Sequence, residues 1–134
     1  MESTSSPNSA HTLRVFIVEN HPDTLKYLRM YLEETGHVVQ SARTLAEALA
    51  ALPEADADVL ISDIGLPDGN GWDLLHDVRL PRPIYAIAMS GLGMNADRAR
   101  SSAAGYRHHV LKPFSPDELD TMLEEAAREL VASR

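Results

Sequence analysis

The chain has no cysteine among its 134 residues, which removes disulfides, thiol nucleophiles and cysteine-ligated metals at once and is compatible with a reducing cytoplasm. Basic residues are scarce. Twelve Lys and Arg against twenty Asp and Glu leave a net charge of −8, a poor match to a polyanionic backbone, so direct nucleic-acid binding is disfavoured. Also missing is any apolar stretch near the ~20 residues that a membrane span requires, and no membrane contact is expected. Residues 1–11, "MESTSSPNSAH", lack the basic start and apolar centre of a signal peptide, and their Ser/Thr/Asn/Pro content supports no core. They are read as a flexible N-terminal tail. Beyond it no low-complexity block and no repeat with a period of roughly 20–50 residues occurs.

What remains is an ordinary soluble composition, 44% hydrophobic and 24% charged, in a length that suits one domain burying roughly 68% of its unfolded surface. Five short apolar runs stand out: "LRVFIV" (13–18), "HVVQSA" (37–42), "DVLISD" (58–63), "IYAIAM" (84–89) and "HHVLK" (108–112). Several lack alternation, as strands buried on both faces require. Between them lie stretches with helical spacing: Leu25, Leu28, Tyr31 and Leu32; Leu45, Ala48, Leu49 and Leu52; Trp72, Leu75 and Val78. Thr44 with Glu47, and Ser115 with Pro116 and Glu118, fit capping boxes at helix starts. Residues 96–104 form the weakest helix, polar and Ala-rich. Five βα units in about 120 residues predict an α/β fold, a doubly wound five-stranded parallel sheet with five helices, whose site lies where strand order reverses at the carboxyl edge.

That edge collects chemistry. Glu19 and Asn20 end the first strand, Asp63 the third, Ser90 the fourth and Lys112 the fifth. Asp63 runs straight out of an apolar stretch into the turn-forming "GLPDGNG" (65–71). Each residue has a plainer reading by itself: a lone strand-end Asp more often satisfies a turn, Ser90 alone would be a turn residue, and Lys112 a solvated strand end. The set outweighs them, because all would meet on one rim. His108 and His109 invite a metal reading, but neighbours on a strand point to opposite faces, and no other histidine has clear ligand spacing. Trp72 and the apolar stripe of the first helix are most simply core.

With an acidic start to the first loop, "SDIGLPDGNGWDLL" (62–75), "AMSG" (88–91) and "LKPF" (111–114) in order, residues 13 to about 131 resemble the CheY-like receiver domain of bacterial two-component response regulators. The resemblance implies a flavodoxin-like strand order 2-1-3-4-5 and a receiver domain over 12–131, with 132–134 as its C-terminal end. It also implies that Asp63 accepts a phosphoryl group from a histidine kinase or a His-containing phosphotransfer protein. Glu19, Asn20, Asp63 and the backbone carbonyl of Gly65 would hold Mg²⁺, for which hard oxygen ligands are suited. Ser90 would donate to a phosphoryl oxygen and Lys112 would pair with the phosphate, oriented by a cis Lys112-Pro113 peptide, while Gly91 leaves the pocket open. Such a protein is not a conventional enzyme; it catalyses its own phosphorylation and slow dephosphorylation, and it signals to a downstream protein partner from the cytoplasm.

Two positions depart from the family pattern. Asn20 stands where a second acid is usual, so weakened Mg²⁺ binding is expected. His109 stands where a Tyr or Phe commonly acts with Ser90 as a switch, an imidazole that would swing inward as Ser90 moves to the phosphate. The face of the fourth helix, fifth strand and fifth helix is then the candidate surface for docking or homodimer formation. A receiver without an attached output domain is expected, and residues 90–114 are similar to receivers of hybrid histidine kinases. Asn20 also supports an alternative, a pseudo-receiver that docks without phosphorylation. An aspartyl-phosphate hydrolase would place a second Asp two residues after the nucleophile, where Gly65 stands. "ENHPDT" (19–24) makes no phosphate cradle for a flavin.

Overall fold

Runs of Val, Ile and Leu with no polar alternation can only be satisfied between two layers of helix, and the chain builds that arrangement. The structure, a computed structural model, describes residues 12–91 and 98–132. Strands β1 (Arg14–Val18), β2 (Val38–Ala42), β3 (Val59–Asp63), β6 (Tyr85–Ser90) and β7 (His108–Leu111) form one sheet in the order β2-β1-β3-β6-β7. All its pairings are parallel. Counting the sheet strands alone, this is the expected 2-1-3-4-5 order. The helices are α1 (Pro22–Glu34), α2 (Leu45–Ala51), α3 (Gly71–Asp77), α4 (Arg98–Ala104) and α5 (Pro116–Ala132).

Alternate residues of each strand feed two cores. Val15, Ile17, Ile61 and Ile87 pack with Leu28 and Leu32 of α1 and Leu119 and Leu123 of α5. Phe16, Val18, Leu60 and Ala88 pack on the other side with Ala48, Leu52 and Leu74. Burying each such Leu or Ile stabilises the fold by roughly 1.5–3 kcal/mol. β1 pairs β2 on one flank and β3 on the other, so the chain reverses direction across the sheet between β1 and β3. That switch point opens a crevice at their carboxyl ends.

Three local features differ from the sequence expectation. Helix α3 ends at Asp77, with Val78 extended at ψ 142°, and the side chain it buries completely is that of Leu74, while Trp72, Leu75 and Val78 are only partly buried. The loop after β3 carries a two-stranded hairpin of β4 (Gly65–Leu66) and β5 (Gly69–Asn70), with Gly65 paired to Asn70. Both predicted capping hydroxyls work: Thr44 Oγ1 accepts from the Glu47 amide at 3.1 Å and Ser115 Oγ from the Glu118 amide at 3.1 Å. The Glu47 carboxylate, however, reaches the amide of Arg43 rather than that of Thr44. Of the weak fourth helix, residues 96 and 97 lie outside the described residues.

Candidate functional site

The parallel register sets the rim. Val18 is level with Ser62 and Asp63 with Met89, so Glu19 and Asp63 leave adjacent strands side by side. Glu19 is 0% and Asp63 4% exposed. The loop after Asp63 is held tight from several directions. Asn70 accepts from the Asp73 amide at 2.8 Å to start α3, and Asp68 accepts from the amides of Leu45 and Ala46 at 2.7 and 3.0 Å, capping α2. Gly71 donates to the Ile64 carbonyl at 2.9 Å. A Cβ at Gly71 would lie 2.6 Å from the Asp63 carbonyl oxygen, so no larger residue fits that approach without moving Asp63.

One ammonium joins the two buried carboxylates. Lys112 Nζ donates to Glu19 Oε1 and to Asp63 Oδ2, both at 2.9 Å, and the Lys112-Pro113 peptide is cis. The other oxygens are occupied too: the Gly65 amide donates to Asp63 Oδ1 at 3.3 Å, and the His21 amide to Glu19 Oε2 at 2.9 Å. The acids respond in opposite directions. Burial pushes the Asp63 carboxyl up and the Glu19 charge adds to this, outweighing the hydrogen bonds from Lys112 and Gly65. Burial acts on Glu19 as well, but the His21 amide and Lys112 together hold it below its ordinary value. Lys112 is raised; burial opposes its charge, and the hydrogen bonds to Glu19 and Asp63 prevail. The pocket thus keeps one unbalanced negative charge when all three are ionised, a setting that favours a cation.

The sequence-predicted residues fall into two groups here. Glu19, Asp63 and Lys112 are in direct contact, with Gly65 joined to Asp63 through its amide. Ser90, 1% exposed at the end of β6, contacts His109 instead: Ser90 Oγ lies 2.9 Å from His109 Nε2. The imidazole is therefore already turned inward, where an outward starting position was expected, and the reason is a second hydroxyl. Ser101 Oγ lies 2.7 Å from His109 Nδ1 and accepts from Trp72 Nε1 at 2.9 Å. Trp72 is thus more than core, and the Arg100 guanidinium covers its ring at 4.0 Å. His108 faces the opposite side of the sheet, as strand geometry requires, against Tyr85 and Glu125. Asn20 is half-buried beside Glu19, and its main-chain carbonyl accepts from Arg43 at 3.4 Å.

His21 was not anticipated. Its Nδ1 lies 3.3 Å from Glu19 Oε2, and Glu19, His21 and Asp63 offer ligand atoms all within 4.8 Å of one another. The available signal was its place two residues after Glu19, immediately before the Pro22 that starts α1. A cleft of about 500 Å³ opens beside the site, lined by His21, Tyr27, Gly91, Lys112 and Phe114 among others. A Cβ on Gly91 would meet nothing within 4 Å, so a side chain there would project into open space.

Residues 15–124 match the family model described as the response regulator receiver domain. The chain is 36% identical over 121 residues to the transcriptional regulatory protein KdpE of Mycobacterium tuberculosis, covering 89% of this chain and 53% of KdpE. It spans about half the length of that relative. It is also 32% identical to an uncharacterized 14.6 kDa protein of Leptolyngbya boryana, covering 83% of this chain and 87% of that protein. Among solved structures it resembles a CheY-like receiver domain protein from Methanospirillum hungatei, with a TM-score of 0.83 and 27% identity, covering 92% of this chain and 99% of the other. The KdpE relative is named as a transcriptional regulator, whereas residues 90–114 suggested the receivers of hybrid kinases.

Proposed function

Because the chain belongs to the response regulator receiver domain family, we propose that it accepts a phosphoryl group on Asp63 from a phosphohistidine donor and signals through protein contacts. The observation that carries this reading is the single Lys112 ammonium, 2.9 Å from both Glu19 and Asp63, at a strand end beside an open cleft. An Asp63 oxygen attacks phosphorus, an O–P bond forms as the donor's P–N bond breaks, and the imidazole nitrogen leaves with the electron pair. Lys112, already against Oδ2, follows the new charge onto the phosphoryl oxygens, and the Ser90 hydroxyl donates to one of them. Positioning and charge neutralisation are most of what phosphoryl transfer demands.

The donor set fits a hard divalent cation. Two carboxylates face one ammonium, and hard oxygen ligands suit Mg²⁺. Glu19, Asn20, Asp63 and the carbonyl of Gly65 would hold it, and when bound it supplies neutralising charge for the phosphoryl oxygens. Glu19, kept ionised by the His21 amide and Lys112, is the anchor. The domain is assigned to residues 12–131, and its output is assigned to the face of α4, β7 and α5. Arg98, Arg100 and the 42%-exposed Leu111 give that face cationic and apolar contacts for a downstream partner or a second copy. A pseudo-receiver lacking phosphorylation would keep the same fold, and phosphoryl uptake by Asp63 distinguishes the two readings.

Incubation with acetyl phosphate and Mg²⁺ should add one acid-stable, hydroxylamine-labile phosphoryl group by intact-mass analysis, and Asp63→Ala should abolish it. Uptake by Asp63→Ala, or none by the wild type with small donors and a cognate kinase, would overturn the assignment.

A further inference from the structure

Ser90 can serve a phosphoryl group only if its hydroxyl hydrogen is free to point there, and three residues bear on that freedom. The indole of Trp72 is donor-only, and its Nε1–H enters Ser101 Oγ at 2.9 Å. Ser101 is 1% exposed, so its own hydrogen needs a protein acceptor. Among the described residues that acceptor is His109 Nδ1, at 2.7 Å. A neutral imidazole that accepts at Nδ1 carries its hydrogen on Nε2, and Nε2 lies 2.9 Å from Ser90 Oγ. Ser90 then receives a hydrogen bond from His109 and keeps its own hydrogen to give.

We propose that Trp72 and Ser101 are positioning residues for the phosphoryl-accepting site: a one-way chain of hydrogen bonds, Trp72 to Ser101 to His109 to Ser90, leaves the Ser90 hydroxyl hydrogen free for the phosphoryl oxygen on Asp63. The reverse polarity has a cost at each end. With the hydrogen on Nδ1, Ser101 would accept from both Trp72 and His109, and among the described residues its own buried hydrogen would then have no acceptor. Ser90 would meanwhile donate to Nε2 and turn away from the phosphoryl group. The donor-only indole therefore biases the polarity from a point on α3, two residues removed along the chain of contacts from His109's far nitrogen. The same contacts tie α4 to the site through Ser101, while Arg98 donates to the His109 carbonyl. A change in Ser90 is in this way passed to the face assigned to output.

This inference rests on the phosphoacceptor reading, and its test separates the two. Nitrogen-15 imidazole correlation spectra of the Mg²⁺–beryllofluoride complex, a phosphoryl mimic, should show His109 as the Nε2–H tautomer. Ser101→Ala should lower beryllofluoride affinity by about tenfold, the worth of one hydrogen bond in a buried site, and Trp72→Phe by a smaller factor in the same direction. Mg²⁺ affinity without the mimic should not change in either variant, a result that general loss of structure would not give. With acetyl phosphate, the loss should appear in kcat more than in KM, because the Ser90 bond strengthens as charge moves onto the phosphoryl group. The Nδ1–H tautomer in the complex overturns the proposal, and so does full beryllofluoride affinity in both variants. If Ser101→Ala does not fold, Trp72→Phe and the wild-type tautomer decide it. A folded wild type that takes up no mimic overturns the phosphoacceptor reading and the purpose of the chain with it, whereas uptake unaffected by either variant overturns the chain alone.

Discussion

One aspartate immediately precedes strand β3 and another ends it, and each shares one cation with a second acid. At the amino end, Arg82 Nη2 lies 2.9 Å from Asp58 Oδ1 and 3.2 Å from Asp56 Oδ1. At the carboxyl end, Lys112 lies 2.9 Å from both Asp63 and Glu19. The charge count is the same, two carboxylates to one cation. Burial is not: at the amino end only Asp58 is buried, its side chain 9% exposed, while those of Asp56 and Arg82 are 67% and 36% exposed, whereas at the carboxyl end Asp63 and Glu19 are 5% and 0% exposed. Water screens the first group, so its excess negative charge does little beyond clamping the start of β3, where Asp58 also accepts from the Arg14 amide. In the second group the excess is confined, and one acid is pushed up while the other is held down.

The strongest way to break this comparison is to remove each cation. Lys112→Met leaves two buried carboxylates facing one another and should destabilise the protein by roughly 2–4 kcal/mol, below the fully buried limit because the cleft admits water. Arg82→Met should cost no more than about 1 kcal/mol. Urea unfolding of both variants at neutral pH checks this, and equal losses would mean that burial does not distinguish the two ends.

Why one end was legible in the sequence and much of its setting was not follows from the same contrast. Parallel strands buried on both faces leave continuous apolar runs, so the residues that end them, Glu19, Asp63, Ser90 and Lys112, could be read as one rim. His21 escaped because its ring reaches Glu19 through a loop whose path depends on where α1 begins. Asp68 caps a helix 23 residues away, a tertiary contact that no local pattern encodes. The phase of α3 was misread for another reason: seven residues hold barely two turns, too few for spacing to single out Leu74. Trp72 looked like core because its apolar ring is, in part, core; its N–H partner sits on α4, in a segment with almost no apolar stripe to locate it.

A second comparison can be made by adding charge rather than removing it. Asn20 lies beside Glu19 at the rim, and Asn20→Asp should tighten Mg²⁺ binding by about tenfold, or about 1.4 kcal/mol, a fraction of the Coulomb attraction of one extra carboxylate near the ion. Isothermal titration measures it directly. Equal affinities would mean that residue 20 does not face the ion. A third acid at the exposed end, by Pro83→Asp next to Arg82 in the chain, should leave Mg²⁺ affinity unchanged.

Neutralising the aspartates one at a time gives a smaller effect, and one of opposite sign at the two ends. Asp63→Asn removes a carboxylate whose ionisation burial opposes, and it leaves Lys112 paired with Glu19 alone. Stability at neutral pH should rise by roughly 1 kcal/mol, the usual trade of function against stability. Asp58→Asn loses the ion pair with Arg82 and should lower stability by about as much. A loss of stability in Asp63→Asn would mean that the Lys112 contact outweighs burial, against the upward shift of Asp63.

The finest distinction lies in how acid acts on the two carboxylates of the buried group. Asp63, raised above its ordinary 3.8, takes up a proton in the folded state before it would in the unfolded chain, so its burdensome charge disappears as pH falls through its folded value. Glu19, lowered from 4.5, behaves in the other sense. Its contribution is present above about 4.5 and is lost as pH falls through its folded value, because the unfolded chain binds that proton first. The two effects oppose one another in the wild type, so together these groups make its stability depend less on pH than either would alone. In Asp63→Asn only the Glu19 effect remains, and the advantage of that variant should be widest near pH 7 and shrink toward pH 4 as wild-type Asp63 becomes neutral. Urea midpoints across that range measure the gap. An advantage that stays constant down to pH 4 would show that Asp63 is not raised, and the asymmetry between the buried acids would have to come from Glu19 alone.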